Sequence, residues 1–333
     1  MKKQAILLCF LMIFTSVILC GCGGKTDVEA GNGDLTEVTF VLDWTPNTNH
    51  TGIYVAQEKG WFEEEGLAVE LMQPPENGVA MLVASGSADL GIDFQDYLAD
   101  AFAAEEPLPV TAVAAILQHN TSGILSSGED DITSPGKMEN HTYATWKLPI
   151  EQAILKQVVT EDGGNFDKIE QIPTTVTDVI AALNADIDSV WVYYGVEGIA
   201  CDYAGQDTDF FYFTDIDDVF DFYSPVIIAN DDYLEKHPET VRAFLRAVKK
   251  GYEYAAEHPG EAAKILCAAV PELDPELTLK GQKWISPRYI DDAPAWGIID
   301  GERWNRFYGW LNENDLLECD IPADYGFTND YLK

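Results

Sequence analysis

Apolar, strand-like runs alternate with helical stretches in this chain, and they do so in two sets. "VTFVLDW" (38–44), "AVELMQP" (68–74) and "ADLGID" (88–93) are each followed by a helical pattern, over 50–65, 78–86 and 95–104, and "PVTAVAAIL" follows as a further strand. The rhythm returns with "TYATW" (142–146), "KIEQIP" (168–173) and "IDSVWVYY" (187–194), separated by helical stretches over 150–162 and 176–185. Strands joined through helices by short connections run parallel, with the helices covering the sheet. Similar strand spacing in both sets predicts two similar α/β lobes, each a mainly parallel sheet flanked by helices.

The run "SPVIIAN" (224–230) is strand-like again and leads into helices over 230–236, 238–257 and 259–269 and a Trp-rich helical tail. If this strand rejoins the first sheet, the chain crosses between lobes near 124–128 and 219–225. Lobe 1 is then 37–125 plus 224–333, lobe 2 is 126–223, and a cleft lies between them. Ligands of open parallel sheets sit beyond the carboxyl ends of the strands. The loops Trp44–His50 and Tyr193–Glu197 occupy that place and are expected to face each other.

Ahead of the lobes stand Lys2 and Lys3, an apolar run over 5–19, and "LCGC" at 19–22. This has the flanks and length of a signal peptide rather than of a membrane span, and its end resembles a bacterial lipobox. The expectation is a leader over 1–21, a lipid on Cys22, and a polar tether over 22–36, because "GGKTDVEAGNGD" has too little apolar surface to fold. The folded part is then extracytoplasmic, on the outer face of the cytoplasmic membrane and attached through the lipid alone. Outside the leader and lipobox only Cys201, Cys267 and Cys319 remain, widely spaced and without a CxxC pair. Neither a disulfide framework nor a zinc site follows; one pair has the option of bonding, and free buried thiols are the expected state.

Twenty basic residues stand against 57 acidic ones, a net charge of −37. Such a surface repels phosphate backbones, which excludes nucleic acid as a partner. The chain also lacks a phosphate-binding loop, a dinucleotide fingerprint, a zinc-protease motif and a nucleophile elbow. What it carries is recognition chemistry, and no cofactor is expected. Trp44 offers a flat face for an aromatic ring. Asn47 and Asn49 offer amides, or a helix cap, and His50 at the helix start either donates to a ligand or caps. Asp93 and Gln95 lie just past a strand end, and Trp146 ends another. "KLPIEQAI" (147–154) opens a helix with Pro149 and Glu151, and the free amides there are expected to face the cleft. "VWVYYGVEG" (190–198) sets Trp191, Tyr193, Tyr194 and Glu197 around a strand end. A carboxylate there suits the amine edge of an aminopyrimidine, although an exposed glutamate at a helix start is the plain alternative.

"LDWTPNTNHTGIYVAQEKGWFEEEGL", "LVASGSADLGI", "VWVYYGVEGI", "NDDYLEKHPETVRAFLRAVKKGYEYAAEHPGEAAKIL" and "PADYGFTNDYL" together resemble the NMT1/THI5-like family, across roughly residues 37–333. The resemblance implies a two-lobe periplasmic-binding-protein fold of type II. It points to the branch that captures thiamine pyrimidine precursors, typified by formylaminopyrimidine, for an ABC permease and its ATPase. In that branch an aromatic ring stacks on the pyrimidine, and a glutamate at the position of Glu197 bonds its amine edge. Related branches bind alkanesulfonates, nitrate or riboflavin precursors. The family also holds fungal pyrimidine synthases, which build the ring from pyridoxal phosphate and a histidine of the protein in an iron-dependent reaction. Where those enzymes carry a cofactor-binding lysine and a nearby histidine, this chain aligns Asp93 and Tyr97, and the segment 220–229 has no cysteine for an iron motif.

Overall fold

The computed structural model describes residues 35–73 and 78–333. The leader, Cys22 and the tether up to residue 34 lie outside the described residues. Among the described residues no helix is long and apolar enough to cross a membrane.

Among the described residues ten strands form two five-stranded sheets. The first contains β1 (Thr36–Val41), β2 (Leu67–Met72), β3 (Leu90–Asp93), β4 (Val110–Ala115) and β10 (Val226–Asn230), in the order β2-β1-β3-β10-β4. The second contains β5 (Ser122–Ser127), β6 (Thr142–Thr145), β7 (Glu170–Pro173), β8 (Ser189–Tyr193) and β9 (Thr208–Tyr212), in the order β7-β6-β8-β5-β9. In each sheet four strands run in the same direction, and the one that stands fourth in line runs antiparallel to both neighbours: β10 in the first, β5 in the second. The two antiparallel strands are the ones each sheet receives from the passages between lobes.

β5 pairs along its length with β8 and β9, so residues 122–127 belong to the second sheet. The first passage between sheets therefore lies at 116–121, ahead of the 124–128 read from the pattern. Neither β5 nor β9 stands out in the sequence. "SGILSS" and "TDFFY" are short, lack clean alternation, and are held as strands by pairing to partners far along the chain.

The carboxy-terminal half builds the support for the first lobe. Helix Pro238–Glu257 begins and ends at His-Pro steps and buries one face, including Phe244, Val248 and Tyr252, against β1 and helix Thr51–Glu58. The two helices touch through glycines: a Cβ on Gly251 would stand 1.9 Å from the carbonyl oxygen of Gly52. On the other face of the sheet, Trp304, Phe307 and Tyr308 of helix Gly301–Glu313 close the core. Helix Pro275–Ile285 also reaches the second lobe, where Trp284 packs on Tyr194 with ring centroids 5.5 Å apart. Cys201, Cys267 and Cys319 are all free, but only Cys201 is buried. Cys267 is half-buried and Cys319 exposed, because the latter two lie on the outer helical layer and the tail.

Candidate functional site

A cavity of about 650 Å³ lies between the sheets, at the carboxyl ends of β1, β3, β6 and β8. Its first-lobe wall begins where β1 ends. Asn47 accepts the amide N–H of Asn49 at 2.8 Å on its side-chain oxygen, and its own N–H donates to His50 Nδ1 at 3.1 Å. With Nδ1 an acceptor, His50 Nε2 carries the proton and donates to Asp43 Oδ1 at 2.7 Å. His50 is fully buried and does not reach the cavity; it holds Asp43, which does. Two tyrosines from the carboxy-terminal half brace this loop: Tyr289 donates to the carbonyl of Thr48 at 2.6 Å and Tyr252 to that of Asn49 at 2.7 Å. A loop held this way presents Trp44, itself 50% exposed, with Asn47 and Asn49 beside it.

At the end of β3 the candidates Asp93 and Gln95 turn inward, away from the cavity. Asp93 accepts the N–H groups of Ala80 (2.9 Å) and Phe94 (2.8 Å), serving the start of helix Val79–Ala84. Gln95 accepts the N–H of Tyr223 and donates to the carbonyl of Trp304, pinning the second passage to the first lobe. The cavity is lined instead by their neighbours Phe94, Asp96, Tyr97 and Asp100. Sequence spacing held the signal: Asp96 and Asp100 are one helical turn apart on the helix that opens at Gln95.

The second-lobe wall is mostly aromatic. Trp146, 36% exposed, stands 6.0 Å from Trp191, and both line the cavity. Glu151 organises the loop beneath Trp146. Its carboxylate accepts from the Tyr143 hydroxyl (2.7 Å), Thr145 Oγ1 (2.9 Å) and the N–H groups of Trp146 (3.1 Å) and Leu148 (3.2 Å). Tyr193 stacks on Phe94 of the other lobe at 5.8 Å and 20°. Tyr194, by contrast, points away: its hydroxyl donates to Asp202 and its ring packs on Phe210 and Trp284. After Tyr193 the chain takes a π-helical turn, Tyr194–Gly198, which brings Glu197 back to accept the N–H of Tyr193 at 3.2 Å and onto the cavity wall.

Among the candidates, Trp44, Asn47, Asn49, Trp146, Glu151, Trp191, Tyr193 and Glu197 thus meet at one cavity, while His50, Asp93 and Gln95 stand behind it and Tyr194 turns its side chain away. Burial pushes the carboxyls of Glu197 and Asp96 up to about 7, partly opposed by backbone N–H groups at each. Among the described residues the charged side chains on the wall are Asp43, Asp96, Asp100, Glu151 and Glu197, all acidic. Lys147, near the rim, donates to Gln171 instead. Among the described residues no cluster of His, Cys, Asp and Glu has the geometry to hold a metal ion. A cleft with aromatic faces and acidic acceptors suits a flat ring bearing hydrogen-bond donors, and it disfavours anions.

A profile of the family described as "NMT1/THI5 like" matches residues 47–262. A formylaminopyrimidine-binding protein of Halalkalibacterium halodurans is 30% identical over 331 residues, spanning 96% of this chain and 97% of that protein. A 4-amino-5-hydroxymethyl-2-methylpyrimidine phosphate synthase of Saccharomyces cerevisiae is 29% identical, spanning 89% of this chain and 88% of the synthase. Among solved structures, the alkanesulfonate-binding protein SsuA of Xanthomonas axonopodis pv. citri superposes with a TM-score of 0.67 at 12% identity, covering 89% of this chain and 99% of that one. At that identity the likeness concerns the fold alone. Two lobes of matching sheet order around a cleft are the periplasmic-binding-protein fold. With the profile covering most of the chain, this protein belongs to the NMT1/THI5-like family.

Proposed function

We propose that this protein is the solute receptor of an ABC importer, that it captures an unphosphorylated aminopyrimidine of the formylaminopyrimidine and hydroxymethylpyrimidine class, and that it passes this ligand to a membrane permease. It works outside the cytoplasmic membrane, tethered through a lipid on Cys22. The observation that carries the reading is the cavity itself: aromatic faces at Trp44, Trp146 and Tyr193, the Glu197 carboxylate at the strand end, and an entirely acidic charged wall. The ring lies among the aromatic faces, and Glu197 accepts from the exocyclic amine. When protonated, Glu197 also donates to a ring nitrogen, which its raised pKa makes accessible near neutrality. Similarity to the formylaminopyrimidine-binding protein supports the same ligand class.

The yeast synthase is nearly as similar in sequence, so pyrimidine synthesis is the second reading. Its substrate pyridoxal phosphate brings a phosphate and calls for a lysine. Here the charged wall is wholly acidic, and the aligned Asp93 spends both oxygens on backbone amides. The same wall disfavours a sulfonate, the third reading.

Calorimetric titration of the full-length protein in mild detergent tests all three. The ligands are formylaminopyrimidine, hydroxymethylpyrimidine, thiamine, pyridoxal phosphate and taurine. The expected result is a Kd on the order of micromolar or tighter for one pyrimidine, weakened in Trp44→Ala by roughly 1–3 kcal/mol as for base–aromatic stacking. Binding of pyridoxal phosphate without any pyrimidine would favour the synthase. Binding of taurine alone would keep the fold and overturn the ligand.

A further inference from the structure

We propose that Trp284 is a positioning residue for the ligand: from the first lobe it fixes the second-lobe turn that carries Glu197, so that this carboxylate meets the amine edge of the ring. This rests on the cavity being an aminopyrimidine site.

Helix Pro275–Ile285 touches both ligand-bearing loops. On the first-lobe side, its Gln282 accepts the hydroxyl of Thr51 at 2.6 Å, and Tyr289, four residues past its end, holds the carbonyl of Thr48. On the second-lobe side, Trp284 packs on Tyr194, and a Cβ on Gly195 would stand 2.7 Å from the indole. The two approaches converge at Gly281. A Cβ there would lie 3.3 Å from the carbonyl oxygen of Gly195 and 3.4 Å from Thr48 Cγ2. Glycine at 195 and 281 lets the backbones come this close. One helix therefore sets the gap between the loop that presents Trp44 and the turn that presents Glu197.

Trp284 belongs to a seam between the lobes. Arg288 places its guanidinium 3.6 Å from the indole centroid. One turn earlier on the helix, Lys280 lies 4.8 Å from the ring centroid of Tyr203; a turn before that, Glu276 accepts the Tyr203 hydroxyl at 3.2 Å. The seam is half-buried at Trp284 and exposed at Lys280 and Glu276. These side chains stand outside the cavity, so Trp284 acts on a ligand through the turn alone. Within that turn, Tyr194 is held by Phe210 and by the bond of its hydroxyl to Asp202. Glu197 follows three residues on, where its carboxylate accepts the N–H of Tyr193. A hydrogen bond weakens steeply with distance and angle, whereas stacking on a ring tolerates small shifts. A turn released from Trp284 therefore loses the amine contact before the aromatic ones.

The test compares two probes, 4-amino-5-hydroxymethyl-2-methylpyrimidine and the same ring with hydrogen in place of the exocyclic amine, by calorimetric titration of the full-length protein. Wild type is expected to prefer the aminated probe by about ten-fold or more, the scale of a hydrogen bond to a charged group. Trp284→Ala is expected to lower that preference by about five-fold, and Trp284→Phe, which keeps a ring against Tyr194, to restore most of it. Gly281→Ala keeps the helix and presses a methyl group on both loops. It is expected to lower the preference by about two-fold or more, and it carries the test if Trp284→Ala does not fold. An unchanged preference in these variants, or equal weakening of both probes, would overturn the positioning role and make Trp284 ordinary packing between lobes, leaving the aminopyrimidine reading intact. A wild type that binds neither probe, or both equally, would overturn the amine contact of Glu197 and the role of Trp284 with it.

Discussion

Each lobe presents to the cleft a helix whose first turn carries a buried acid: Glu151 on helix Pro149–Glu161 in the second lobe, Asp96 on helix Gln95–Ala103 in the first. Glu151 is 3% exposed and Asp96 8%. The first is surrounded by four donors from β6 and the loop after it, whereas the second keeps an oxygen with none. Identical chemistry at similar positions therefore serves two purposes. Where the protein satisfies the lone pairs, the acid is a brace that fixes Trp146. Where it leaves one without a donor, burial pushes the carboxyl up to about 7. Satisfaction of hydrogen bonds, more than residue type or burial, separates the two acids here.

Substitutions at the two acids probe this contrast most strongly. Glu151→Ala removes the acceptor of four hydrogen bonds and is expected to cost roughly 3–5 kcal/mol of stability in urea unfolding, on the scale of breaking a buried charged network. A loss below about 1 kcal/mol would mean that Glu151 is no brace. Asp96→Asn should act in the opposite direction in the ligand-free protein. The Asp96 carboxyl is raised from 3.8 to about 7. Between those values the folded chain holds a proton that the unfolded chain releases, so stability falls as pH rises through that window and stays low above it. The same applies to Glu197 and Asp93, each raised to about 7 by burial. Asp96→Asn lacks one such contribution and should be more stable than wild type at pH 8 by roughly 1–3 kcal/mol, at 1.36 kcal/mol per pKa unit, and nearly equal to it at pH 4. Thermal melts across that range check it, and a variant less stable than wild type at pH 8 would make Asp96 a structural acid after all.

Smaller effects sharpen the picture of the two walls. Glu197→Gln should weaken an aminopyrimidine by roughly 1–2 kcal/mol more than its unaminated analogue, on the scale of a charge-assisted hydrogen bond; equal losses in parallel titrations would detach Glu197 from the amine. Tyr252→Phe removes one of two hydroxyl braces under the Trp44 loop. It should cost about 1 kcal/mol of stability, together with faster amide exchange at residues 48–50. Unchanged exchange there would show that Tyr289 and the His50–Asp43 pair hold the loop without it.

Much of the architecture was legible because it depends on local pattern. His-Pro steps delimit the helices Pro238–Glu257 and Pro259–Ala269 where the sequence reading placed them, since proline favours the first turn and disrupts what precedes it. β1, β3, β4 and β8 stood out in the sequence as apolar or β-branched runs. β5 and β9 did not, because their strand character comes from partners in the second sheet. The site followed the same division. Trp44, Trp146, Tyr193 and Glu197 sit at strand ends, and a strand end has a known address relative to the cleft. His50, Asp93, Gln95 and Tyr194 share that address, but each finds a partner that turns it away: Asp43, the amide of Ala80, the amide of Tyr223 and the carboxylate of Asp202. Asp43, next to Trp44, was passed over for the same reason in reverse, as its place on the wall is set by His50.

From sequence alone came the alternation of strand and helix, hence two lobes and the rim of a cleft, because periodicity and punctuation act over neighbouring residues. The tertiary structure decided which side chains at that rim remain free to bind. Side-chain direction depends on donors and acceptors brought together by folding, such as Gln95 with Tyr223, 128 positions apart. A side chain that finds such a partner turns away from the cavity, as Gln95 does, and one that finds none there, as Trp44 does, stays on its wall.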